Sequence, residues 1–210
     1  MEVTKIKNTY FNSNTYILSI SDSQEIWLVD CGDIKPIYDW MEKNGKTNVT
    51  GVLLTHSHFD HIYGLNNLSE KFLNINVYVA NKEGKDALYD IKQNGSKYAE
   101  IPFVLADNIN VYLLQNVDED IILWKDIKGS CHFMKGHSQD SVCFEFANYL
   151  FTGDSFIPNI RTVSKLKGGN KEEAKQTVLN IKKTFSGDTV ICPGHEEMCY
   201  LKEVIIEKMY

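Results

Sequence analysis

A cluster of histidines and one aspartate in the segment Thr55–His61 constrains this chain more than any other feature of its sequence. The segment reads Thr-His-Ser-His-Phe-Asp-His and directly follows a short apolar run that is typical of a buried strand. Because alternate residues of an extended segment face the same side, we expect His56, His58 and Asp60 to converge, with His61 turning away to open a short helix. Imidazole and carboxylate together suit zinc, iron or manganese, and zinc is the usual occupant of such sites. Only six of the 210 residues are histidine, so this spacing rarely arises by chance and predicts a metal site.

Three further candidate ligands follow other predicted strands. Structural zinc is almost always four-coordinate, so four neighbouring residues cannot complete two such sites and further ligands must come from elsewhere. His137, Asp154 and His195 each follow an apolar run, and a glycine directly precedes each of them, which permits a tight turn at the end of a strand. We therefore predict that all three bind metal, whereas His132 is predicted to be a strand residue without a metal role.

The size and charge of the chain favour a soluble single-domain protein with a small-molecule partner. A length of 210 residues predicts one domain over 1–210. The net charge of −6 gives no general attraction for nucleic acid or for an anionic membrane. We expect a cytoplasmic location, because the sequence contains neither an apolar run of transmembrane length nor the apolar core of a signal peptide. The five scattered cysteines indicate reduced thiols, and the oligomeric state is left open.

Hydrophobic periodicity predicts two groups of strands, each followed by helices. Two sheets packed face to face with helices outside are one solution to this pattern. From about 81 to 120 the pattern is weak and indicates short helices and loops, which we interpret as a lid insertion. Strands are predicted over 15–21, 25–30, 51–54, 75–79, 121–124, 127–134, 141–147, 149–152 and 189–192. Helices are predicted over 34–43, from 61, over 170–185 with Asn170 as its cap, and at the C-terminus, where Met198, Leu201, Ile205 and Met209 would be buried.

The arrangement of these motifs resembles the metallo-β-lactamase superfamily, and most closely its glyoxalase II-type branch. The resemblance extends from near the start of the chain to about residue 200, in the order that the family shows. It rests on Leu28–Gly32, Thr55–Gly64, Gly136–Ser138, Thr152–Ser155 and Pro193–His195. It implies an α/β (α+β) fold, a four-layer αββα sandwich with the metals at one edge of its two sheets.

The resemblance also implies a role for each candidate ligand. His56, His58 and His137 would bind a first metal, and Asp60, His61 and His195 would bind a second. Asp154 would bridge the two metals, which we expect to be two Zn²⁺ ions, with iron or manganese as alternatives. Asp30 would order the site through hydrogen bonds to the ligands.

These assignments imply a binuclear hydrolase in which Asp60 and Asp154 are catalytic as metal ligands. Two neighbouring cations share a water and lower its pKa toward neutrality, which supplies hydroxide at pH 7. The hydroxide would cleave an ester, thioester, lactone or phosphodiester bond of a small molecule. Phe156 and Arg161 are candidate substrate contacts, because they follow Asp154 in a loop that also carries two lysines, Lys165 and Lys167.

Several alternatives stay open at this level. The chain ends soon after His195, so we expect it to lack the C-terminal helical region with which glyoxalase II holds glutathione. A β-lactamase is not expected, because the antibiotic-hydrolysing branches do not use an aspartate bridge. The persulfide dioxygenases share the histidine motif and use one iron, held by the equivalents of His56, His137 and Asp154. A nuclease is disfavoured by the net charge, and a metal-binding module without activity is the remaining alternative.

Overall fold

The computed structural model describes residues 1–73, 75–114 and 120–209, and the chain forms two compact units, Met1–Leu113 and Leu114–Tyr210. Of the predicted lid insertion over 81–120, residues 115–119 lie outside the described part. The organisation of the chain as one domain stays a prediction. Among the described residues, no helix has the length and apolar character that crossing a membrane requires.

The first unit is built around a six-stranded mixed sheet with strands in the order of the chain. The first three strands pair antiparallel, and the third to sixth pair in parallel. Ile17, Leu28 and Val52 are fully buried in its core. The strands are β1 Glu2–Lys7, β2 Asn14–Ser19, β3 Glu25–Val29, β4 Asn48–Leu53, β5 Asn76–Val79 and β6 Asn110–Leu113. The helices are α1 Ile34–Lys43, α2 Leu65–Lys71 and α3 Lys82–Ala87, with 3-10 turns at Phe59–His61 and Ser96–Tyr98.

The second unit contains another six-stranded mixed sheet, in the order β12-β11-β10-β9-β8-β7. Its strands are β7 Ile121–Trp124, β8 Ile127–Phe133, β9 Val142–Phe146, β10 Tyr149–Gly153, β11 Val190–Pro193 and β12 Cys199–Tyr200. Only β10 and β11 pair in parallel. The helix α4, Lys171–Thr184, packs Val178 and Ile181 against the core of this unit. The Asn170 side chain accepts hydrogen bonds from the backbone N–H groups of Glu172 and Glu173, so the predicted cap is present.

The predicted C-terminal helix is wrong. The segment forms two 3-10 turns, Leu201–Glu203 and Ile206–Lys208. The backbone N–H of Leu201 donates to the Thr189 carbonyl at 2.9 Å, which holds the start of the segment beside β11. The β-branched run Val204–Ile206 also disfavours a continuous helix. Leu201 and Met209 are buried as predicted, but Ile205 is exposed.

Within the weakly patterned stretch, the structure places a short helix (α3) and a 3-10 turn, as the sequence indicated, and also a strand (β6) that the sequence did not indicate. The four residues of β6 alternate between exposed and half-buried, although Val111, Tyr112 and Leu113 are of types found in strands. Their strand conformation depends on parallel pairing with β5, from Asn76 opposite Asn110 to Val79 opposite Leu113.

Candidate metal centre

In the first unit, the four neighbouring candidate ligands lie directly after β4. The ring centroids of His56 and His58 are 4.7 Å apart, and those of His56 and His61 are 4.3 Å apart. A nitrogen of His61 lies 3.5 Å from a carboxylate oxygen of Asp60. His56 and His61 are almost fully buried. This unit therefore collects three imidazoles and one carboxylate in a small volume.

The prediction that His61 turns away from the others is wrong. His61 ends the 3-10 turn Phe59–His61, and its backbone N–H donates to the His58 carbonyl at 3.0 Å. This tight turn brings the His61 ring back beside His56, and the helix α2 begins only at Leu65. The prediction assumed an extended segment, in which successive side chains alternate between two sides. A 3-10 turn has three residues per turn, so the side chain of His61 takes a different direction.

Asp30 supports this group from the end of β3. Its carboxylate accepts hydrogen bonds from the Thr55 backbone N–H at 2.8 Å, from the Thr55 hydroxyl at 2.8 Å and from His61 Nδ1 at 2.9 Å. Burial raises the pKa of the Asp30 carboxyl, while the His61 imidazole and the Thr55 donors act in the opposite direction. Asp30 has a φ of 58°, in the left-handed region that aspartate tolerates better than most residues.

These contacts determine which imidazole nitrogens are available to a metal. His61 Nδ1 donates to Asp30, so its Nε2 carries the lone pair. The Thr55 hydroxyl donates its proton to Asp30, so its oxygen can accept from His56 Nδ1, 3.1 Å away. With its Nδ1 proton donated to Thr55, His56 carries its lone pair on Nε2. Such partners on the far nitrogen are typical of histidines that bind metals.

In the second unit, the remaining three candidate ligands gather at strand ends. His137 Nε2 lies 3.7 Å from Oδ2 of the Asp154 carboxylate, and His195 Nε2 lies 3.4 Å from the same oxygen atom. His137 Nδ1 lies 2.7 Å from the Val163 carbonyl oxygen, to which it donates because a carbonyl can only accept. Its Nε2 is therefore also the lone-pair nitrogen. The donor set of each unit, imidazole nitrogen with carboxylate oxygen, fits zinc or iron.

Gly136 sets the turn that carries His137. Its φ is 127°, and an added Cβ would lie 2.2 Å from the backbone nitrogen of Ala174 in α4. Its carbonyl accepts from the Asn170 backbone N–H at 2.8 Å. Only glycine meets both the conformation and the close approach.

The candidate substrate contacts differ in their placement. Phe156 is fully buried in the core of the second unit, so its ring is not placed to contact a substrate and that expectation is corrected. Arg161 is exposed and lines a cavity. His132 lies in β8, with Nε2 2.9 Å from Glu145.

Sequence reasoning missed two supporting groups. Thr55 stands inside the histidine motif, but its bonds to Asp30 depend on the pairing of β3 with β4. The Val163 carbonyl has no sequence signal, because every residue carries a carbonyl.

Comparisons with known proteins agree with this geometry. The family profile described as the metallo-beta-lactamase superfamily matches residues 9–195. A probable metallo-hydrolase, YqgX, of Bacillus subtilis is 31% identical over 192 residues, which is 87% of this chain and 84% of that protein. The hydroxyacylglutathione hydrolase of Haemophilus ducreyi is 28% identical over 87% of this chain and 66% of its own length.

The chain spans between 48% and 66% of the length of four hydroxyacylglutathione hydrolases to which it is similar. Among solved structures, the BLEG-1 B3 metallo-beta-lactamase aligns with a TM-score of 0.85 and 26% identity, over 96% of this chain and 95% of that one. The predicted α/β class, with two mixed sheets flanked by helices, is confirmed.

Proposed function

Because the chain belongs to the metallo-beta-lactamase superfamily, we propose that it is a metal-dependent hydrolase with a binuclear centre held by the seven predicted ligands. The observation that carries this proposal is which ring nitrogen carries the lone pair in His56, His61 and His137. In each, Nδ1 has a hydrogen-bond partner, so the lone pair that could bind a metal is on Nε2. The profile match covers the ligands of both units.

In the proposed assignment, each metal has three ligands of its own, and one carboxylate binds both metals. Asp154 is proposed as the bridge, since His137 and His195 both lie within 4 Å of one of its oxygens. Zinc is proposed for both positions, because imidazole with carboxylate is its usual donor set. The first metal would be held by His56, His58 and His137, and the second by Asp60, His61 and His195.

Bound metals would supply a water of lowered pKa and would polarise the oxygen of the scissile bond. The chain's own contribution is to hold the ligands rigidly. The hydrogen bonds from His61 and Thr55 to Asp30 fix one imidazole in a buried pocket, and the Val163 carbonyl fixes His137. Asp60 and Asp154 act as ligands whose charge balances the metals.

The substrate proposed is a small molecule with an ester, thioester, lactone or phosphodiester bond, rather than nucleic acid. The relatives named hydroxyacylglutathione hydrolases support a thioester as the first substrate to test. A β-lactam is the second class, and the likeness to a protein described as a B3 metallo-beta-lactamase over nearly the whole chain favours it.

Metal analysis combined with a substrate panel tests this function. The purified protein is expected to hold about two transition-metal ions per chain and to hydrolyse at least one member of the panel. His61→Ala should lower kcat/KM by at least about 100-fold. His132→Ala is the matched control, because it removes a histidine outside the proposed centre and should leave turnover unchanged. One iron per chain with oxygen uptake on a persulfide would instead identify a dioxygenase, and a metal-free protein would contradict both functions.

A further inference from the structure

A second site is suggested by a cavity of about 710 Å³ within the second unit. One wall is the segment 161–165, and the other is the first turns of α4. None of the seven candidate metal ligands lines it.

The charge of this cavity is opposite to that of the whole chain. Four cationic residues line it, Arg161, Lys165, Lys171 and Lys175, with one acidic residue, Glu172. The chain as a whole has a net charge of −6. A concave surface lined by one sign of charge concentrates ions of the other sign, so this cavity selects anions within an otherwise acidic protein.

The recognition would come from side chains rather than from the backbone of the helix. The Asn170 side chain already accepts the N–H groups of Glu172 and Glu173, and the Thr162 hydroxyl donates to the Ser155 carbonyl at 3.2 Å. The positive end of the α4 dipole adds to the field. With four cationic residues and only Glu172 to offset them, the cavity suits a ligand group with two or more negative charges better than a ligand with one carboxylate.

We propose that this cavity binds a phosphate-type anion, either free or carried by a larger molecule. Arginine offers two parallel donors to phosphate oxygens, and lysines add point charges from the opposite wall. The proposal concerns a site outside the metal centre and does not depend on hydrolase activity.

Both walls of the cavity also support the turn that carries His137. The Val163 carbonyl accepts from His137 Nδ1 at 2.7 Å, and the Asn170 backbone N–H donates to the Gly136 carbonyl at 2.8 Å. An anion that joins the two walls would restrain both supports at once. Its occupancy should therefore change turnover at the metal centre, a consequence that rests on the proposed function.

Calorimetric titration of inorganic phosphate into the metal-loaded 210-residue chain tests the site directly. The double variant Lys171→Ala/Lys175→Ala should weaken phosphate binding by at least about tenfold, since it removes two of four cations. The control is Lys85→Ala/Lys183→Ala, which removes the same charge from residues that do not line the cavity and should change the affinity less than about twofold.

A second pair of measurements separates this site from the metal centre. His61→Ala should retain phosphate binding, because it alters only the proposed ligands. Equal affinity in the wild type and the Lys171→Ala/Lys175→Ala variant, or loss of binding in His61→Ala alone, would overturn the proposal by placing the phosphate on the metals. Absence of saturable binding at millimolar phosphate would overturn it as well.

Kinetics would then identify the source of the anion. If the group belongs to the substrate, free phosphate should compete with a phosphate-bearing substrate and raise its KM, with no effect on a neutral ester. If it is a separate effector, phosphate should change kcat for both substrates. Either effect should be lost in Lys171→Ala/Lys175→Ala.

Discussion

At the residue scale, Asp30 connects the backbone to the proposed ligands. One carboxylate oxygen accepts from the Thr55 backbone and the other from both the Thr55 hydroxyl and His61 Nδ1. The carboxylate is almost fully buried, so each of these donors would lose a partner and find no water if it were removed. A single buried side chain thus sets the orientation of one imidazole and the hydroxyl that contacts another.

Asp30→Asn should lower the affinity for the second metal about 10- to 100-fold. Asparagine tolerates the φ of 58° at this position, so the backbone is preserved. Its amide NH₂, however, would face the donors of Thr55 or His61. Competition with a chelator measures the affinity. Asp39→Asn, which breaks an exposed pair with Lys35, is the control and should have no effect. An unchanged affinity in Asp30→Asn would show that Asp30 does not position the ligand.

The thiols should react in two classes. Burial raises the pKa of the Cys31, Cys143 and Cys192 thiols, which leaves little reactive thiolate at pH 8. Cys131 is also buried. Partial burial raises the pKa of the Cys199 thiol as well, so Cys199 differs from the other four mainly because it is partly exposed to reagents. We expect at most one of the five thiols to react quickly with a chromogenic disulfide, and the others only after unfolding. Cys199→Ser should remove the fast phase, and its persistence would contradict this account.

At the element scale, the local signals of the sequence predicted the helices α1 and α4. The bounds of α1 and the cap of α4 are as the sequence indicated, because capping and amphipathic periodicity act within a few residues. The elements that sequence missed depend on distant partners. The strand β6 exists through pairing with β5, and the C-terminal segment is held by the Thr189 carbonyl. No window of local sequence contains such information.

Asn170→Ala should destabilise the protein by about 1 kcal/mol, because it removes the acceptor for two backbone N–H groups of α4. Urea unfolding followed by circular dichroism measures the change. Asn170→Asp keeps an acceptor at the same place and should cost far less. Equal losses in the two variants would mean that the cap contributes nothing beyond the conformation of the residue.

At the scale of the whole molecule, the candidate ligands were predictable because they combine rare residues with strand ends. Spacing alone indicated the ligands of the first unit, whereas His137, Asp154 and His195 also needed the resemblance to a family. The substrate was not predictable, because its contacts come from loops. Phe156 illustrates the difficulty. Its position after Asp154 suggested a contact with substrate, yet its side chain is buried in the hydrophobic core of the second unit.

Removal of metal should lower the thermal stability of the whole protein. A ligand present at 100 times its Kd stabilises the folded state by about 2.7 kcal/mol, which corresponds to a Tm shift of about 5–10 °C for a chain of this size. Calorimetry before and after chelation, and after return of Zn²⁺, measures the shift. His132→Ala should show the full shift and His61→Ala a smaller one. An unchanged Tm after chelation would contradict the proposed centre.

The order of strands in the first sheet has a consequence for biosynthesis. All six strands lie in residues 2–113, and neighbours in the sheet are neighbours along the chain. Each new strand can therefore pair with the one made just before it as the polypeptide leaves the ribosome, and N-terminal units generally fold first during synthesis. His56, His58, Asp60 and His61 would be arranged on the nascent chain before His195 is translated. Ribosome-stalled chains that expose residues 1–113 should already protect this sheet from protease.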